Sequence, residues 1–289
     1  MKGKRLCVLV VGLAGILATA SFGAQKQRVK SGLPVFESAT FVSEVNNKLF
    51  PLTPGTIFFY EGEKDGVPAS DEFQVNHRTK RILGVDCTEV RDQAFENGIL
   101  AEDTLDWFAQ DTDGNVWYFG EDTKELDANG NVISTEGSWE AGVNGALPGI
   151  IMLADPHKGD RYQQEFATGV AEDMARVLSL NKSASVPYGD FDDLLLTRES
   201  TPLEKGAVEV KYYAEGIGFI LGEATKGGDE ITELVAITTG NPDNRSVGRA
   251  YSRQARTACG HAARATEVLK LAPASCPPSP TVLPCRRSL

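Results

Sequence analysis

The chain has 289 residues, 41% of them apolar, and a formal net charge of -11, which is long enough for one β-rich domain with a sizeable core. Residues 1–24 hold three basic and no acidic side chains, residues 25–243 hold 18 basic and 39 acidic, and residues 244–289 hold eight basic and one acidic. A body of net -21 repels nucleic acid and anionic lipid headgroups, which argues against both as partners.

Lys2, Lys4 and Arg5 precede an apolar run from Leu6 to Leu17 and the small residues Ala18-Thr19-Ala20. That is the order of a secretory signal peptide, with cleavage expected after Ala20 or Gly23. The run falls short of the ~20 residues that span a bilayer. The mature chain is therefore expected to be exported, periplasmic or secreted, with no transmembrane segment left. The expected organisation is a signal peptide over 1–23, a polar lead over 25–45, a β-domain over 46–240, and a basic Ala/Arg/Pro-rich tail over 241–289 outside the domain. Cys87 is the one cysteine of the body, so the body can form no internal disulfide and must be held by its core. Cys259, Cys276 and Cys285 lie in the tail, and no cysteine spacing matches a zinc site.

A Pro-Gly turn at Pro54-Gly55 leads into a strand over Ile57–Glu61. Turn signals follow at Asp65-Gly66, Asn97-Gly98, Asp113-Gly114 and Asn129-Gly130, the last three 16 residues apart. The spacing predicts a meander of long antiparallel strands. Phe73, Val75 and His77 alternate with Glu72, Gln74 and Asn76. Ile99, Ala101, Leu105, Trp107 and Ala109 lie opposite Glu102, Thr104, Asp106 and Gln110. The apolar face is expected to meet the core and the polar face water. Residues 134–158, rich in Gly and Pro, read as a long loop carrying Ile150-Ile151-Met152-Leu153 across the sheet. Strands are expected again over 161–166, 170–180, 191–199, 207–214, 218–224 and 230–238. The segment from Val170 to Leu180 is also compatible with a helix on propensity. The fold expected is mainly β: a single strongly curved antiparallel meander sheet or a half-open β-barrel.

Asp111, Asp113 and Asn115 take positions 1, 3 and 5 of a calcium loop, with Asp122 at position 12. Val116 stands where such loops need glycine, and the bidentate Glu is missing. Turn chemistry explains the same residues without a metal, leaving a weak calcium site as one expectation and no other cofactor. No nucleophile elbow or phosphate-cradling loop is present. His77, Asp106 and Glu121 are the candidates for a hydrolase acting on an envelope polymer. Trp107, Trp117, Phe119 and Tyr212 are the candidates for lining an apolar pocket inside a curved sheet.

The segments N-N-K-L-F-P-L-T-P-G-T (46–56), D-T-L-D-W-F-A-Q-D-T-D-G-N-V-W-Y-F-G-E-D (103–122), E-G-S-W-E-A-G (136–142) and K-Y-Y-A-E-G-I-G (211–218) together resemble a family of uncharacterised secreted bacterial proteins. The resemblance covers about 46–238 and implies compartment and domain limits but no activity. At fold level, the meander also looks like bacterial periplasmic proteins with a curved half-barrel, including lipoprotein carriers. The leading expectation is a non-enzymatic exported binding protein of the cell envelope, for an apolar ligand or an envelope partner. The rivals are an envelope polymer hydrolase and a calcium-stabilised structural protein.

Overall fold

The computed structural model describes residue 36 and residues 39–239. The expected signal peptide and basic tail, with its three cysteines, lie outside the described residues. Strands β1 (Asn46–Asn47) and β2 (Phe50–Pro51) form a small hairpin. The first meander is β3 (Thr56–Lys64), β4 (Val67–Ile82), β5 (Val85–Glu96), β6 (Ile99–Gln110) and β7 (Val116–Leu126). Short strands follow: β8 (Val132–Ser134), β9 (Trp139–Glu140), β10 (Leu147–Met152), β11 (Arg161–Gln163) and β12 (Glu165–Phe166). The second meander is β13 (Met174–Val186), β14 (Gly189–Ser200), β15 (Val208–Ala214), β16 (Gly218–Lys226) and β17 (Glu230–Thr239).

Every strand pairs antiparallel, and all but β1 and β2 belong to one large sheet. The ladder runs β11-β13-β14-β15-β16-β17-β3-β4-β5-β6-β7-β10-β12, with β8 and β9 also on β7. Pairing of β17 with β3 joins the two meanders, from Glu230 opposite Lys64 to Thr239 opposite Thr56. The path ends on β11 and β12, which follow one another across Gln164 and do not pair, so the sheet is not a closed barrel.

The predicted turns form for the expected reason. Asp65-Gly66 and Asn97-Gly98 both take positive φ at both positions, the geometry that matches strand twist in two-residue hairpins. The β4–β5 hairpin turns instead on Leu83-Gly84, with Leu83 at φ 49°. The sequence carries no signal for it, because leucine rarely takes that conformation. The expected loop over 134–158 contains two strands, β9 and β10, and begins on the last residue of β8. The run Ile150-Ile151-Met152 pairs onto β7, with Gly149 opposite Tyr118 and Ile150 opposite Trp117. The segment open to a helical reading is strand β13, paired to β14 from Met174 opposite Ser200 to Val186 opposite Gly189.

The larger correction concerns which face is inside. On β6 the residues expected to meet water, Glu102, Thr104, Asp106 and Gln110, are all buried, and Ile99 of the apolar set is exposed. Strands β6 and β7 are buried on both faces over Trp107–Gln110 and Val116–Glu121. Phe36 and Phe41 of the lead stack edge-on against Trp117 and Phe119, at 5.5–6.2 Å between ring centroids. On β4 the expected inward Phe73 and Val75 are buried, whereas His77 is exposed.

Candidate functional site: an aromatic-walled cavity over buried carboxyls

Alternation along four strands aims seven side chains at one space: Phe58 and Tyr60 from β3, Asp71 and Phe73 from β4, Asp92 from β5, and Lys211 and Tyr213 from β15. The register aligns them, since Phe73 lies opposite both Phe58 and Asp92, and Asp71 lies opposite Tyr60. These residues surround a cavity that opens to solvent. Phe50 of the β1–β2 hairpin lines it as well, as do Ile217 of the β15–β16 turn and Phe219 of β16.

The hairpin is held by Asn47. Its Nδ2 donates to the carbonyls of Gly114 and Leu153, and its Oδ1 accepts from the amide of Leu49. Phe50 is thereby set against Phe108, with centroids 5.4 Å apart. Tyr60 donates to the carbonyl of Phe219 at 3.1 Å and packs on its ring at 5.3 Å. The wall is thus fixed by hydrogen bonds as well as by packing.

The floor is polar. Lys211, 5% exposed, pairs with Glu199 at 2.9 Å and Glu209 at 3.4 Å. Burial pushes its ammonium down, but the neighbouring carboxylates more than offset this and hold it charged. Burial, reinforced by Glu230, pushes Asp71 up to about 8. Asp92 is raised well above the usual carboxylate range by burial and then by Asp71. Asp92 is 8% exposed, and its Oδ1 has no hydrogen-bond partner. Tyr60 cannot supply one, because its hydroxyl proton is already given to Phe219.

Behind the floor, β6 and β7 carry further buried acids. Asp106, opposite Glu121 in the ladder, accepts a 2.5 Å hydrogen bond from the Tyr118 hydroxyl. Burial raises it to about 7 in spite of that bond. Thr104 Oγ1 lies 3.0 Å from Glu102 and 3.1 Å from Thr123 Oγ1, which lies 2.7 Å from Glu121. Three hydrogen bonds need three protons and two hydroxyls supply two, so one of the carboxyls carries the third. Glu121 and Glu165 are both pushed well up, chiefly by burial, with Glu165 adding to the shift of Glu121.

The residues singled out from the sequence fall elsewhere. Trp107 is buried on the opposite face of β6 from Asp106, with Lys80 Nζ 3.4 Å from the centre of its ring. Trp117 and Phe119 lie under Phe36 and Phe41. Tyr212 points away from its buried neighbours Lys211 and Tyr213 and is only partly covered. None of the four lines the cavity. Of their aromatic sequence neighbours only Tyr213 lines it, while Phe108 and Tyr118 are buried and stack on one another at 4.7 Å. Asp106 and Glu121 meet inside, and His77 does not join them.

The calcium-like spacing closes a loop. Asp111 Oδ1 accepts from the amides of Asp113 and Asn115, and Oδ2 accepts from Asn115 Nδ2 and from Trp117 Nε1 at 2.8 Å. Asp127, Asn129 and Asn131 repeat the same amide and side-chain bonds 16 residues later. Both segments read Asp-x-x-Gly-Asn, a turn signature in which the aspartate holds its own loop. Among the described residues no three His, Cys, Asp or Glu side chains are placed to hold a metal ion.

No family model matches the chain, and no curated protein matches it. Two solved structures are similar. A protein of Bacteroides fragilis NCTC 9343, assigned as exported and of YmcC-like fold, is 13% identical, with 67% of this chain and 100% of that one covered at a TM-score of 0.41. A protein of Parabacteroides distasonis ATCC 8503, assigned as a lipoprotein, is 12% identical, with 66% of this chain and 99% of that one covered at a TM-score of 0.38.

Proposed function

We propose that the chain is a non-enzymatic exported binding protein whose curved sheet takes a small amphipathic ligand. The apolar part lies against the phenylalanine wall, and the polar end meets Asp71, Asp92 and Lys211. One observation carries this reading: a cavity lined by six aromatic rings with the ionisable groups Asp71, Asp92 and Lys211 converging at its floor, the usual composition of small-molecule sites. The N-terminal basic, apolar and small-residue order supports export. Asp106 and Glu121, the carboxyls the sequence offered to a hydrolase, are not among the residues that line the cavity.

Native mass spectrometry of the exported full chain tests the reading. A retained small-molecule mass is expected in the parent protein, and its loss is expected in Ile217→Trp, which fills the mouth. An apo mass that takes up no added amphiphile overturns it.

A further inference from the structure

The chemistry of the floor selects among polar ends. Among the described residues Lys211 is the only basic one on the cavity wall, and its ammonium is already engaged by Glu199 at 2.9 Å and Glu209 at 3.4 Å. An anionic head placed there would face Asp71 and Asp92 with no free cation to receive it. Asp92 lines the cavity, and its Oδ1 is buried with no hydrogen-bond partner. A buried oxygen left without a donor costs about 1–3 kcal/mol, so a ligand that brings an N–H or O–H recovers that loss. Six aromatic rings surround the same space, from Phe50, Phe58, Tyr60, Phe73, Tyr213 and Phe219. Aromatic faces attract cations and not anions.

Resting on the binding reading above, we propose that the ligand is a hydrophobic amine, its ammonium seated between Asp71 and Asp92 and its hydrocarbon part against the ring wall. The ionisable groups that act electrostatically on Asp92 are Asp71 from β4, Asp106 and Glu102 from β6, Lys211 from β15 and Tyr60 from β3. Those facing Asp71 also include Glu230 and Lys64. Acids outnumber bases in that set, so it presents negative potential to the cavity once the floor carboxyls ionise. Amine binding therefore strengthens with rising pH while the amine itself stays protonated.

The test is calorimetric titration of the full chain with n-decylamine, n-decanol and decanoate at pH 9, where Asp71, raised to about 8, is ionised and an alkylamine is still protonated, repeated with decylamine at pH 6. The amine is expected to bind at least tenfold tighter than the alcohol, decanoate weakest, and the amine more weakly at pH 6. Asp92→Asn is expected to bring amine and alcohol within about threefold of each other. If that variant does not fold, the parent series and its pH dependence decide the matter alone. Decanol or decanoate binding as tightly as decylamine overturns the amine assignment and leaves the binding reading standing. Failure of all three to bind overturns both.

Discussion

Tyr118 and Lys211 show how single side chains keep an acidic interior folded. The Tyr118 hydroxyl gives Asp106 a 2.5 Å hydrogen bond, and Asp106 Oδ2 has no partner. Tyr118→Phe removes a donor without removing the ring that stacks on Phe108 at 4.7 Å. It is expected to destabilise the protein by about 1–3 kcal/mol, read as a lower urea midpoint with an unchanged slope. Lys211 matters more, because its removal leaves Glu199 and Glu209 buried beside one another. Lys211→Met is expected to cost about 3–5 kcal/mol at pH 8, the range for breaking a buried ion pair by removing one partner. The cost should shrink at pH 5. Glu209, which burial pushes up to about 8 even against the attraction of Lys211, is then protonated and no longer needs a cation. A penalty equal at both pH values would show that Lys211 contributes packing and not charge.

At the scale of the strand and hairpin, the two Asp-x-x-Gly-Asn loops make a matched experiment. Asp111 is buried, and its carboxylate also holds the Trp117 indole, whereas Asp127 caps an exposed loop. Asp111→Ala is therefore expected to lower the melting temperature well beyond Asp127→Ala, with the Trp117 fluorescence environment changed only in the former. The β7 strand has its own special position at Gly120, which takes φ 131° and lies where a Cβ would come within 2.3 Å of the Trp139 carbonyl oxygen. Gly120→Ala combines a forbidden backbone conformation with a backbone clash. It is expected to cost more than ~1 kcal/mol, measured by chemical denaturation, and to loosen the β9 pairing of Glu121 with Trp139. Elements of this kind were legible in the sequence wherever turn chemistry announced them, as at Asp65-Gly66, Asn97-Gly98 and the 103–122 hairpin. They were not legible at Leu83-Gly84, where an exposed leucine takes the positive φ that Asp or Asn supplies at the other turns, nor at Ile150–Met152, where a short apolar run among glycines becomes a strand only because β7 offers it an edge.

For the molecule as a whole, the buried carboxyls set an unusual pH dependence. Asp71 and Glu209 are raised to about 8, Asp106 and Glu230 to about 7, and Asp92, Glu121 and Glu165 also lie well above the ordinary range, burial being the leading cause in each. In the unfolded chain these groups ionise near pH 4. Between about pH 4 and pH 8 the native state thus binds more protons than the unfolded state, so stability falls as pH rises. Their favourable contribution is complete below about pH 4 and lost as pH passes the native values. Each such group changes stability by up to ~1.4 kcal/mol per pH unit within that window. The urea midpoint is expected to be higher at pH 5 than at pH 8, and a midpoint that rises over the same interval would contradict the protonated interior.

Strand content, the antiparallel meander and most of its turns follow from local properties: alternation with period two, β-branched and aromatic runs, and Asp-Gly or Asn-Gly steps. Those properties act over a few residues and can be read from them. Which face of β6 and β15 lies inside is a different kind of fact, because alternation defines two faces without ranking them. Glu102 and Asp106 on β6, and Lys211 on β15, are compatible with an interior only when neighbours from distant strands neutralise or protonate them. The electrostatic field around Lys211 comes from β12, β14 and the loop before β13 as well as from its own strand. Tertiary structure alone gathers those groups, and with them it decided that the cavity is walled by Phe58, Phe73 and Tyr213 and floored by Asp71 and Asp92.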